Sequence, residues 1–291
     1  MKKEFLYIIT AGILWGTSGI FVNLLAPFGF TSLQMVAMRG GVSFLCILLY
    51  ALICKRSLFR ISPKMLLLCA LIGLSLFGTA SAYYASMQLT TIATAVMLMY
   101  MAPVYVLIFS VIFFGERLSP KKLGALACVL LGCCFVSGII GDFEANLVGV
   151  LLGLLSGVCY AAYNVFTKIA VQKKTSALQI NLYAFLFMAL VAIAVCQPLD
   201  IAKNAAKEPL LTIPLMLGIG LTTFIAPYTL YTLAMRKLPA GTATALGVME
   251  PLSATVFGIL FFEEKMTVLL AIGILLVLLG VVLLGSNAQK E

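Results

Sequence analysis

The sequence predicts an all-α integral membrane protein. It would carry ten transmembrane helices arranged as two inverted five-helix repeats, with the N-terminus and C-terminus cytoplasmic. Composition is the first observation behind this. Of 291 residues, 63% are hydrophobic and 10% charged, with a mean hydropathy of +1.15. Soluble domains carry about 25% charged residues, and no soluble fold could hide this much apolar surface. The second observation is where the charges fall, and the third is an internal repeat.

A helix needs about 20 apolar residues to cross a hydrocarbon core about 30 Å thick. Apolar runs of that length occur at 5–25, 32–54, 65–87, 91–114, 119–140, 147–169, 176–196, 211–235, 241–262 and 267–285. The first follows Met1-Lys2-Lys3. It is longer than the apolar region of a secretory signal and has a partner in the second half, so it reads as a retained first helix. Threading the chain through these runs puts Lys and Arg at 2–3, 55–64, 117–122, 168–174, 236–237 and 290 on the N-terminal side. Lys203, Lys207 and Lys265 fall on the other side, with Asp142, Glu144, Asp200 and Glu208. Basic loops stay in the cytoplasm, which sets the orientation and a multi-pass cell-membrane location. The net charge of +9 is therefore a topology signal, and nucleic acid is not an expected partner. The expected partners are the lipid bilayer and a small-molecule substrate, with coupling to a proton or another ion.

Residues 93–132 align without a gap to 241–280, with 13 identities in 40 positions, where composition alone gives roughly a tenth. Thr94-Ala95 matches Thr242-Ala243, Met101-x-Pro103 matches Met249-x-Pro251, and Val129-Leu-Leu-Gly132 matches Val277-Leu-Leu-Gly280. Gly12-x-x-x-Gly16 followed by Asn23 matches Gly153-x-x-x-Gly157 followed by Asn164. The repeats are therefore expected at 1–141 and 142–291. Five helices per repeat is an odd number, so the halves must be oppositely oriented, an architecture of many alternating-access transporters. The small-x-x-x-small pairs let helix backbones approach closely in lipid.

Chemistry narrows the function classes. Histidine is absent, which removes His-based triads and His-ligated zinc. The eight cysteines form no C-x-x-C pair and read as small buried hydrophobes. No metal site, cofactor or enzyme constellation is expected. Ionisable residues deep in a membrane are functional candidates, and two stand well inside predicted spans: Arg39 and Glu250. Either they handle substrate, with Glu250 meeting an amine or a proton and Arg39 a carboxylate, or they form a structural ion pair, or Arg39 snorkels to the interface. Pro103 and Pro251 each free a backbone carbonyl, at Met99 and Gly247, and mark the fourth and ninth helices as kinked lining elements. Trp15, Tyr83, Tyr100 and Tyr228 lie too deep for an interfacial belt, and Asn164 lies near the inner end of the sixth helix. All five are candidate substrate contacts, with core packing as the alternative.

The chain resembles the drug/metabolite transporter superfamily, specifically its ten-helix EamA family. The resemblance is carried by Gly12-Ile-Leu-Trp15-Gly16, Arg39-Gly40, Ala95 through Pro103, Phe114-Gly115-Glu116-Arg117-Leu118, Met249-Glu250-Pro251 and Phe262-Glu263-Glu264-Lys265. It covers about residues 5 to 286. It implies a transporter of amino acids, related metabolites or drugs, with the fifth and tenth helices bracing the outside. The expected cargo is an exported amino acid or a related neutral or zwitterionic amphiphile. The alternative cargo is a cationic drug or quaternary amine held by Glu250 and aromatic faces.

Overall fold

The computed structural model describes residues 2–90, 92–115, 119–136, 146–196, 198–262 and 267–288. The expected boundary at 141/142 lies outside them. So do Asp142, Glu144, Glu116 through Leu118, Glu263 through Lys265, and Lys290. Every regular element among the described residues is helical. In chain order these are α1 (Lys2–Gly16), α2 (Ser18–Leu25), α3 (Ser32–Cys54), α4 (Pro63–Leu89), α5 (Ile92–Met99), α6 (Ala102–Phe114), α7 (Pro120–Val136), α8 (Leu147–Gln172), α9 (Ala177–Val195), α10 (Pro198–Ala205), α11 (Pro209–Gly220), α12 (Ala226–Ala234), α13 (Ala240–Leu246), α14 (Met249–Phe262) and α15 (Val268–Ala288). Among the described residues, seven helical stretches are long and apolar enough to cross a membrane. The surface fits lipid: Ile53 is 80% exposed and Leu210 91%, positions that water would penalise.

The long helices start where their sequence says they should. Thr31 and Gln34 form a reciprocal capping box at the start of α3, with Gln34 N donating to Thr31 Oγ1 and Thr31 N to Gln34 Oε1. Ser62 caps α4 ahead of Pro63, Asn146 caps α8, and Ser176 caps α9. Each cap satisfies amides that a membrane-embedded helix end would otherwise leave bare.

Four rods are interrupted. The first breaks at Thr17, between α1 and α2, where the Thr17 hydroxyl donates to the Leu14 carbonyl at 2.7 Å. The fourth and ninth break at Tyr100–Met101 and Gly247–Val248, each just before its proline. The sequence reads these sites as kinks, and at each the structure interrupts the regular α-helix with a turn, leaving a half-helix on either side. The eighth passes from α11 into a π-helical turn over Leu221–Ile225 before α12. That turn immediately precedes Pro227, which has no amide to donate to the carbonyl of Thr223.

Packing between rods runs on glycine. A Cβ on Gly12 would stand 2.5 Å from Met249 Cβ, and one on Gly16 2.2 Å from Ser253 Oγ, so α1 lies backbone-close on α14. Gly153 and Gly157 of α8 press in the same way on Leu98 and Met99 at the end of α5. α7 and α15 form a reciprocal seam: Gly132 faces Val277, and Gly280 faces Val129, each pair 2.7 Å apart when a Cβ is added to the glycine. The alignment offset of 148 relates Gly132 to Gly280 and Val129 to Val277. The two contacts therefore exchange with one another, as they do across a twofold axis.

Candidate functional site

A cavity of about 800 Å³ sits at mid-depth, within the range of small-molecule pockets. Its walls come from α1, α2, α3, α4, α5, the π-helical turn and α14, with single residues from α7, α8, α9 and α12. It extends from the helix breaks to the ends of α2 and α3, where Asn23 and Ser32 line it and are exposed. It opens on the face opposite the N-terminus.

Of the sequence-predicted site residues, Trp15, Arg39, Tyr83, Tyr100, Tyr228 and Glu250 all line this cavity, together with Pro251. Arg39 is delivered by α3 at helical spacing from Ser32 and Val36. Glu250 stands in the first turn of α14, where the amide dipoles of a helix start favour a negative charge. No ion pair joins Arg39 to Glu250. Three buried donors on lining residues, Trp15 Nε1, Arg39 Nε and Tyr100 Oη, have no hydrogen-bond partner. An unpaired buried donor is costly unless something fills its place.

The floor is aromatic. Trp15 meets Tyr228 edge-on at 5.1 Å and Tyr231 at 5.4 Å between centroids. Phe224 packs on Tyr228 at 4.9 Å, and Phe185 meets Phe224 at 5.4 Å. This combines a cation-attracting surface with an acid and a base that make no direct ion pair.

One candidate contact lies elsewhere. Asn164 does not line the cavity. It is fully buried, its amide donates to the Tyr160 carbonyl at 2.7 Å, and its oxygen accepts from the Tyr231 hydroxyl. Pro103, read as a kink residue, stands just after the interruption between α5 and α6, beside a crevice of about 20 Å³ between α6, α7 and α13.

Sequence reading named only Tyr83 of the α4 wall. Leu76, Thr79, Ala80, Tyr83, Tyr84 and Met87 line the cavity from α4, and their 3–4-residue spacing marks a single helix face. That periodicity was available in the sequence, but α4 is apolar all round and the signal is weak. Thr223 and Phe224 had no such signal, because the π-helical turn sets where they point.

The EamA-like transporter family model matches residues 2–138 and again 147–286. An "Uncharacterized transporter" of Archaeoglobus fulgidus is 31% identical over 278 residues, 95% of this chain and 94% of its own length. The "Threonine/homoserine exporter RhtA" of Escherichia coli strain K12 is 29% identical over 207 residues, 69% of this chain and 65% of its own. A crystal structure of another protein, 18% identical, superposes over 97% of this chain and 98% of its own with a TM-score of 0.79, a likeness of fold. With its apolar helices and a solute-sized cavity, the chain is a multi-pass cell-membrane transporter and not an enzyme, and it belongs to the EamA-like transporter family.

Proposed function

We propose that this transporter is a secondary exporter of amino acids or related neutral or zwitterionic amphiphiles, working by alternating access. In this reading ten transmembrane helices form two inverted repeats, 1–141 and 142–291, with both termini cytoplasmic. The two-block family match, the exchanging glycine–valine contacts of α7 and α15 and the basic loops on the N-terminal side support it.

One observation carries the substrate class: Arg39 and Glu250 share a cavity without pairing. An acid and a base left apart over an aromatic floor suit a solute with both a carboxylate and an amine. A cavity built for a phosphorylated solute would carry several basic groups, and among the described residues Arg39 is the one basic side chain in this lining. The partial similarity to a threonine/homoserine exporter points the same way. Coupling to a proton or another ion is part of the reading, with Glu250 as the carboxyl such coupling would use.

A second reading rests on the contact between Trp15, Tyr228 and Phe224. Aromatic faces beside an acid also suit a cationic drug or quaternary amine. Reconstituted vesicles discriminate the two. For a zwitterion, saturable flux of threonine or homoserine is lost in both Arg39→Gln and Glu250→Gln. For a cation, Glu250→Gln alone abolishes flux and Arg39→Gln leaves it intact. If no amino acid, amine or drug moves under any ion gradient, the exporter reading is wrong.

A further inference from the structure

The open cavity occupies only the half of the path away from the N-terminus. The other half is packed shut, and it is built from the same positions of the other repeat. Asn23 at the open mouth and Asn164 are separated by the alignment offset of 141. Their amides make the same bond, to the carbonyl four residues back: Gly19 at 3.1 Å and Tyr160 at 2.7 Å. One is exposed and lines the cavity. The other is fully buried and holds Tyr231.

The pattern continues along the broken helices. Val96 lines the cavity, and its mate at the offset of 148, Thr244, is 1% exposed. Thr244 sits 3.3 Å from the Tyr231 hydroxyl and donates to the Ala240 carbonyl at 2.9 Å. Pro251 and Thr255 line the cavity, and their mates Pro103 and Leu107 line the crevice of about 20 Å³.

Polar ties seal the end of the closed half. The Lys237 ammonium is 2.7 Å from the Glu4 carboxylate, whose side chain is 8% exposed. The buried Lys168 ammonium donates to the carbonyls of Met235 and Leu238 at 2.8 and 2.7 Å. Together they bind α1 and α8 to the turn between α12 and α13. The offset of 141 pairs Lys168 with Pro27, which has no ammonium to offer. At the open end the ties run elsewhere: Lys207 and Asn204 donate to the carbonyls of Phe28 and Gly29, both at 2.9 Å, and hold the α2–α3 turn to the end of α10 and the segment that follows it.

We propose that Glu4–Lys237 and the Lys168 carbonyl clamp form a latch that holds the N-terminal end of the pathway closed. On its release, Asn164 and Thr244 become lining residues of a second vestibule. The proposal rests on the alternating-access reading and adds to it which contacts must break and which buried residues are then exposed. A ligand or substitution shifts such an equilibrium only by its differential effect on the two states, and charge reversal at Lys237 acts on the closed state alone.

The test places single cysteine reporters at Val96 and Thr244 and treats sealed vesicles with a membrane-impermeant maleimide from either side. Labelling is read above the parent chain, whose eight cysteines set the baseline. With the latch intact, Val96→Cys labels from the far side and Thr244→Cys stays silent. In Lys237→Glu, Thr244→Cys labelling from the N-terminal side rises about tenfold and Val96→Cys labelling falls. The swap Glu4→Lys/Lys237→Glu restores the original pattern. If Lys237→Glu does not fold, Glu4→Gln removes one charge at constant shape and shifts labelling in the same direction. A folded variant with unchanged Thr244→Cys labelling, or a swap that restores nothing, overturns the latch. Flux measured in the same vesicles separates the two readings. Solute flux without a labelling shift removes the latch and leaves the exporter. A labelling shift with no flux of any solute keeps the latch and removes the exporter.

Discussion

α5–α6 and α13–α14 are the same broken helix in two environments. The offset of 148 superposes their prolines and brings their breaks within one residue of each other, yet α13 is buried along its whole length while Val96 and Met99 of α5 line an open cavity. Local sequence sets where each helix breaks. Whether the freed segment faces solvent or protein is decided by what packs across from it. The chemistry is also unequal. Where α14 begins Met249-Glu250-Pro251, α6 begins Met101-Ala102-Pro103, and where the first break offers Tyr100 the second offers Val248. The pair supplies one scaffold twice and one deep acid once.

Erasing that chemical difference gives the largest expected effect. Glu250→Ala makes the second half read like the first. Loss of a buried charged contact is worth about 1.5–3 kcal/mol, so flux in reconstituted vesicles falls about 100-fold while the thermal unfolding transition stays within a few degrees.

A second comparison sets the glycines of the two halves against each other. A methyl on Gly12 meets the Met249 Cβ and the α14 backbone, whereas one on Gly153 meets only side-chain atoms, Leu98 Cδ1 at 2.6 Å, Leu98 Cβ at 2.8 Å and Ser86 Oγ at 2.9 Å. Gly12→Ala is expected to destabilise by about 2 kcal/mol and Gly153→Ala by about half that, read as thermal unfolding in detergent. Equal losses would mean that α1 and α8 approach their partners alike.

The smallest effect separates Asn164 from Asn23. Asn164→Ala leaves the Tyr231 hydroxyl with Thr244 alone and costs about 1 kcal/mol. Asn23→Ala, on an exposed helix end, stays within about 0.5 kcal/mol in the same unfolding assay.

The rods were legible because lipid demands long apolar helices, and the breaks were legible because proline cannot donate. The cavity was legible through rare deep groups. Arg39, Glu250, Trp15 and the tyrosines at 83, 100 and 228 stand out against an apolar background and do share one space. Two things were hidden. An ion pair between Arg39 and Glu250 was a fair reading from matched depth, but depth says nothing of lateral position. Asn164 had every sequence mark of its exposed mate Asn23, and only the conformation of the whole molecule decides which of the two is covered.

The sole tryptophan of the chain stands on the cavity floor with an unpartnered indole nitrogen and tyrosine rings at 5.1 and 5.4 Å. The molecule thus carries its own optical gauge. Neighbouring phenols feed excitation to a single emitter, and a solute that bonds to the indole or displaces water beside it shifts that emission. Occupancy can be followed by intrinsic fluorescence, with no dye and no background from a second indole.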